Sequence, residues 1–142
     1  MTIVAIRDGV MAVDSMAVRG SVIVCEIKKW SEVPDAMGGG YVAMAGDMFP
    51  LSEAMDRFLA GRDPAVPTGD GSLTHMRSDG SVWRCEANKW VEQAGDFHAC
   101  GCGFEIALGA MHAGADAKAA AEAACALSVD CGGKIHTLRV KA

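Results

Sequence analysis

Short apolar runs separated by turn residues dominate the first third of the chain. Thr2 to Ile6 and Val10 to Val13 flank Arg7-Asp8-Gly9, and Asp-Gly between two such runs is a hairpin signal. Ser21 to Trp30 sets Val22, Val24 and Glu26 against Ile23, Cys25 and Ile27, and Tyr41 to Ala45 follows Gly38-Gly39-Gly40. Each predicts a further strand. From Pro50 the period changes, because Leu51, Ala54, Met55, Phe58 and Leu59 recur at helical spacing with Ser52, Glu53, Asp56 and Arg57 between them. One amphipathic helix ending near Gly61 is expected. Arg62 to Gly71 carries Pro64, Pro67, Gly69 and Gly71, which predicts a loop.

The second half repeats the plan and then turns helical. Ser72 to Met76 and Val82 to Glu86 flank Arg77-Ser78-Asp79-Gly80-Ser81, a second hairpin pattern, and Phe97 to Cys102 is a short apolar strand. Phe104, Leu108 and Met111 share a helical face, and Asp116 caps an Ala-rich segment of strong helix formers through Leu127. Gly132-Gly133 stops the helical pattern, and Ile135 to Val140 predicts a closing strand. This order gives an α+β domain spanning residues 1–142, with two antiparallel sheets covered by helices.

Composition narrows the function more than it changes the fold. With 51% hydrophobic and 22% charged residues, the 142-residue chain is globular, and its net charge of -5 with scattered lysines and arginines provides no footprint for nucleic acid. No apolar run approaches the roughly 18 residues that span a bilayer, and Met1 to Gly9 lacks the basic start of a signal peptide. A cytoplasmic protein with no nucleic-acid or membrane partner is expected. Cys25, Cys85, Cys100, Cys102, Cys125 and Cys131 fall partly in apolar or Ala-rich segments, which suits reduced thiols. His98, Cys100 and Cys102 alternate along one strand and form a rival zinc set. The absence of Cys-x-x-Cys spacing argues against it, so neither metal nor cofactor is expected. Met11, Met44 and Met55 fall on core faces, while His75, His112 and His136 show no partner pattern.

The candidate chemistry lies at the beginning of the chain. Thr2 follows Met1 directly, and two later segments, Asp14-Ser15 and Lys28-Lys29, carry the charges that such a residue needs. A threonine hydroxyl is a weak nucleophile at neutral pH, and a free α-amine on the same residue can act as its base. The chemistry therefore requires loss of Met1.

Several motifs in order resemble the proteasome β-subunit family, most closely its HslV-like members. Thr2-Ile3-Val4 is similar to the mature N-terminus of that family, Gly9 to Ser15 to its second strand ending in Asp-Ser or Asp-Gly, and Ile27-Lys28-Lys29 to its Val-Lys-Lys run. Met44-Ala45-Gly46 resembles the segment supplying the oxyanion amide. Gly101-Cys102-Gly103 resembles the Gly-Ser-Gly turn, and Ala121-Glu122 with Asp130 and Gly132-Gly133 resembles the last helix and its terminal aspartate.

The resemblance implies a four-layer αββα sandwich of N-terminal nucleophile hydrolases, with one helical layer reduced because the Arg62 to Gly71 loop stands where the family has a second long helix. It implies Thr2 as nucleophile, Lys29 favouring the deprotonated hydroxyl, Asp14 orienting Lys29, and the Gly46 amide stabilising the oxyanion. Cys102 and Asp130 would orient the Thr2 amine, with Cys102 replacing the family serine. Thr2 and Asp14 are a few residues closer than in the family, so the first hairpin must be shorter and must keep side-chain parity. Aligning Ile3-Val4 directly with HslV instead puts Met1 at the nucleophile position. Two readings follow: a threonine peptidase in a homo-oligomeric ring, hydrolysing polypeptide beside an ATP-driven unfoldase, or a non-catalytic assembly protein that retains Met1.

Overall fold

The first hairpin forms where Asp8-Gly9 predicts it. In the computed structural model, which describes residues 2–140, β1 (Ile3–Arg7) and β2 (Val10–Val13) pair antiparallel with Val4 opposite Val13. Asp8 and Gly9 take φ of 52° and 72°, the paired positive values that match a two-residue turn to the strand twist. Next come β3 (Met16–Arg19), β4 (Val22–Glu26), β5 (Trp30–Glu32), β6 (Tyr41–Gly46) and α1 (Met48–Leu59). Then β7 (Gly71–Met76), β8 (Val82–Glu86), β9 (Lys89–Gln93) and β10 (Phe97–Gly101) lead to α2 (Phe104–His112), α3 (Ala117–Leu127) and β11 (His136–Arg139).

Two antiparallel sheets stack, ordered β10-β1-β2-β11 and β5-β6-β7-β8-β9, while β3 and β4 form a separate two-stranded ribbon. Alternation assigns the layers. Ile3, Ala5 and Ala12 pack against Ala107, Met111, Ala120 and Ala124 of α2 and α3, whereas Val4, Ile6, Met11 and Val13 face Ala43, Ala45 and Met76 of the other sheet. Val42, Met44 and Leu73 point away from that interface onto Leu51, Ala54 and Met55 of α1. The result is the αββα order, with two helices on one side and α1 alone on the other. Small alanines let α3 lie close to the sheet. No helix among the described residues is long and apolar enough to cross a membrane.

Several expectations need correction. Ser21 to Trp30 is not one strand: β4 ends at Glu26, the Ile27 amide donates to Ser15 O at 2.7 Å, and β5 begins at Trp30 in another sheet. Its alternation misled because Val22, Ile23 and Val24 are all exposed on the ribbon. Strand β9 escaped notice because its hairpin turns at Ala87-Asn88, both at positive φ, and alanine is no turn signal. His75 and His136 do have partners. Trp30 Nε1 donates to His136 Nδ1 at 2.9 Å, tying β5 to β11 across the two sheets.

His75 gives the fold a predicted acid sensitivity. It is buried under α1 beside Phe58 and Trp90, and its Nε2 donates to Gly39 O at 2.7 Å. Burial holds its pKa below the ordinary histidine value. The unfolded chain therefore binds the proton more readily, and the stabilisation, complete above the unfolded pKa, is lost as pH falls towards the folded one. Melting temperature should drop by roughly 3 °C between about pH 6.5 and pH 5. Thermal melts of the protein and of His75→Gln across that range check this, and an equal slope in both would refute it.

Candidate functional site

Strands β1 and β2 end side by side, and their pairing delivers Asp14 to Ile3. The Asp14 amide donates to Ile3 O at 3.3 Å, and Asp14 Oδ1 accepts the Ile3 amide at 3.0 Å. Lys29 Nζ donates to the same oxygen at 3.0 Å, and the Gly132 amide donates to Oδ2 at 3.0 Å. Asp14 is 0% and Lys29 2% exposed. Desolvating such a pair costs several kcal/mol per ion, which is offset only when the carboxylate lone pairs are filled and the geometry is good. Here two backbone amides complete the carboxylate. Lys29 is itself fixed by the Met44 amide, which donates to Lys29 O at 3.0 Å.

Thr2 precedes β1 and is 4% exposed. With Lys29, Ile27, Met44 and Gly46 it lines a cleft of about 820 Å³ between the ribbon and the end of β6. Met1 lies outside the described residues. The cleft lip depends on two glycines. Gly46 (φ 136°) and Gly71 (φ 125°) face each other, and a Cβ on Gly46 would lie 2.2 Å from Asp70 O. Gly46 therefore has a packing duty in addition to any chemical one.

A third close approach holds Thr2 itself. Gly101 has φ 93°, and a Cβ there would meet Thr2 O at 1.9 Å. Gly101→Ala must push the first residues of β1 away from β10 and adopt a strained backbone. A loss of about 3 kcal/mol in stability is expected. Chemical denaturation measures it, and a variant within about 0.5 kcal/mol of the parent would contradict this geometry.

Cys102 follows β10 in the turn that opens α2, where Gly103 takes φ 77°. Burial pushes its thiol up and the nearby Asp130 charge adds to this, while a hydrogen bond from the Thr2 amide pulls the other way. Cys102 thus sits against Thr2. Asp130 stands in the turn after α3, its amide on Ser128 Oγ at 3.3 Å. No hydrogen bond joins its carboxylate to Thr2 among the described residues. The fold therefore gathers Thr2, Lys29 and Gly46 at one cleft with Asp14 buried behind Lys29, Cys102 alongside and Asp130 one step further out. Among the described residues no three metal-binding side chains come together. Cys100 is buried in the inter-sheet core with its sulfur 3.4 Å from Thr74 Oγ1.

Sequence reasoning missed the bracket behind the site. Gly132 O accepts the Ser15 and Met16 amides, Ser15 Oγ donates to Glu26 Oε1 at 3.2 Å, and the Lys134 amide donates to the same oxygen at 2.7 Å. The Lys134 bond, then the Ser15 bond, holds the Glu26 carboxyl below its usual range. Gly132-Gly133 is legible in the sequence as a helix stop and as part of the segment resembling the family's terminal aspartate, but not as this bracket, in which a Cβ on Gly133 would lie 2.7 Å from both Glu26 Oε1 and Ser15 Oγ.

No family model matches the chain, and no curated protein matches it. Among solved structures, BPH of Thiobacillus denitrificans in complex with epoxomicin is similar at 18% identity, with 99% of each chain covered and a TM-score of 0.70. The eukaryotic HslV of Trypanosoma brucei is similar at 16% identity, covering 98% of this chain and 99% of its own, with a TM-score of 0.71. The fold is that of the HslV-like N-terminal nucleophile hydrolases. Within this HslV-like fold the paired ends of β1 and β2 carry the ionic cluster, and the second sheet supplies the glycine lip.

Proposed function

We propose that this protein is a threonine-type peptidase of the proteasome and HslV kind, with Thr2 exposed as nucleophile by removal of Met1. The supporting observation is the desolvated Asp14–Lys29 pair, whose lysine lines the same cleft as Thr2. Buried ion pairs contribute little to stability over apolar side chains of similar volume, so one placed at a cleft is better explained by chemistry.

In this reading the Thr2 α-amine takes the proton of its own hydroxyl, and the oxygen attacks the substrate amide carbon. Lys29 favours the charged oxygen, and Asp14 holds Lys29 in position. The Gly46 amide at the cleft lip stabilises the tetrahedral oxyanion, a type of contact worth about 3 kcal/mol. Collapse expels the amine of the leaving peptide and leaves an ester on Thr2. Water, deprotonated by the same α-amine, then hydrolyses that ester. Cys102 and Asp130 would orient the amine.

The natural assembly is a homo-oligomeric ring, and the exposed Val22, Ile23 and Val24 ribbon suits burial against another subunit. A polypeptide substrate fed by an ATP-driven unfoldase, in the cytoplasm, completes the proposal. The test is an intact mass followed by labelling with epoxomicin, the ligand named for the BPH structure. Loss of Met1 and one stable adduct on Thr2 are expected. A Met-capped, unlabelled protein would favour the second reading, an assembly protein without peptidase activity.

A further inference from the structure

Two side-chain bonds cross between the sheets at the end that carries the site, and the proposed mechanism uses only one of them. Lys29 Nζ donates to Asp14, just past β2, at 3.0 Å. The next residue, Trp30 of β5, donates from its indole Nε1 to His136 Nδ1 of β11 at 2.9 Å. Because β11 pairs with β2, His136 stands opposite Val13, the residue before Asp14. The two bonds are therefore neighbouring rungs, with adjacent donors on one segment and acceptors beside each other on the other sheet.

The backbone of Lys29 belongs to the second sheet, since its carbonyl accepts the Met44 amide at 3.0 Å and Trp30 lies opposite Ala43. Its ammonium, however, must cross to the first sheet to reach Asp14. The indole–imidazole bond spans the same gap one residue away, joining the edge strands β5 and β11. The indole is walled in, edge-on to His136 and to Tyr41 of β6, with Lys28 Nζ 4.1 Å from its ring centroid.

This rung exists in one protonation state. Nδ1 must offer its lone pair, so the neutral imidazole carries its proton on Nε2. A second proton would go to Nδ1 and set two N–H groups against each other. Around the ring, Glu26 of β4 interacts with both His136 and Lys134, and Lys28 stands over the indole. Beyond Val13 the charges of Asp14 and Lys29 are paired with each other.

We propose that His136 is a positioning residue for Lys29: its neutral ring, acting through Trp30, keeps the ammonium on Asp14, and protonation of Nδ1 loosens that hold. The role in hydrolysis rests on the threonine peptidase reading, whereas the hold on Lys29 does not.

Two variants separate the bond from the packing. His136→Phe keeps a flat ring against Trp30 but offers no acceptor, and His136→Asn places an amide oxygen near the Nδ1 position and does not titrate. In His136→Phe, kcat for a fluorogenic peptide should fall about tenfold with KM nearly unchanged, and His136→Asn should recover most of that loss. Nitrogen-15 NMR reads the hold without turnover. Protection of the Trp30 indole proton and of the Lys29 ammonium protons against exchange should fall roughly tenfold in His136→Phe. In the parent the same protection should fall between about pH 8 and pH 5, the interval in which histidine gains charge, and in His136→Asn it should persist. A kcat within about twofold of the parent in a folded His136→Phe, His136→Asn falling as far as His136→Phe, or Lys29 protection that ignores pH in the parent would overturn the proposal. The last of these needs no variant. If no peptide is hydrolysed at all, the peptidase reading fails, and the exchange results alone decide whether His136 holds Lys29.

Discussion

Thr2→Ala should abolish peptide hydrolysis, lowering kcat by on the order of 10⁵-fold, while leaving the fold in place. The hydroxyl is the attacking group, and neither Lys29 nor Gly46 can replace it. What survives is binding in the cleft and whatever the oxyanion amide contributes to attack by water. Stability should change little, because Thr2 is held through its backbone, by the close approach of Thr2 O to Gly101. Alanine in second place also leaves removal of Met1 plausible, so intact mass can show that parent and variant share the same processing. The comparison is steady-state cleavage of a fluorogenic peptide together with epoxomicin labelling. Residual activity within tenfold of the parent in a correctly processed variant would dispose of Thr2 as the nucleophile.

The sequence carries much of this site because its parts are local signals. Asp8-Gly9 sets the hairpin that brings Asp14 back beside Ile3, with Val4 opposite Val13 fixing the parity of both strands. The spacing of Leu51, Ala54 and Met55 likewise reports the face that α1 buries. What was hidden is long-range. The Gly132 amide reaches Asp14 across 118 positions, and a backbone donor leaves no mark in a side-chain pattern. The ribbon was hidden for a different reason: alternation in Val22 to Glu26 implies a half-buried strand, but no second layer covers it among the described residues. Ile27 to Lys29 then leaves the strand path, and Lys29 meets Asp14 at the end of β2, a pairing of charge rather than periodicity.

Lys29→Met is the second decisive substitution, because it separates charge from volume. Methionine fills comparable space but leaves the Asp14 carboxylate, which is 0% exposed, without its cation. Breaking a buried pair in this way costs about 3–5 kcal/mol, and the Ile3 and Gly132 amides that remain on the carboxylate favour the lower end. At about 3 °C per kcal/mol for a domain of this size, the melting temperature should fall by roughly 10 °C. Adding Asp14→Asn removes the orphaned charge and keeps one of the two amide bonds on its single side-chain oxygen, so the double variant should recover part of that loss. Activity should behave differently. Both variants lack the ammonium beside the proposed nucleophile, and kcat should drop by about 10³-fold in each. Thermal melts and peptide cleavage on the single and double variants give the whole cycle. Recovery of stability without recovery of turnover is the expected signature of a charge kept for chemistry. Parallel recovery of both would mean that the pair serves only to hold the ends of β1 and β2 together.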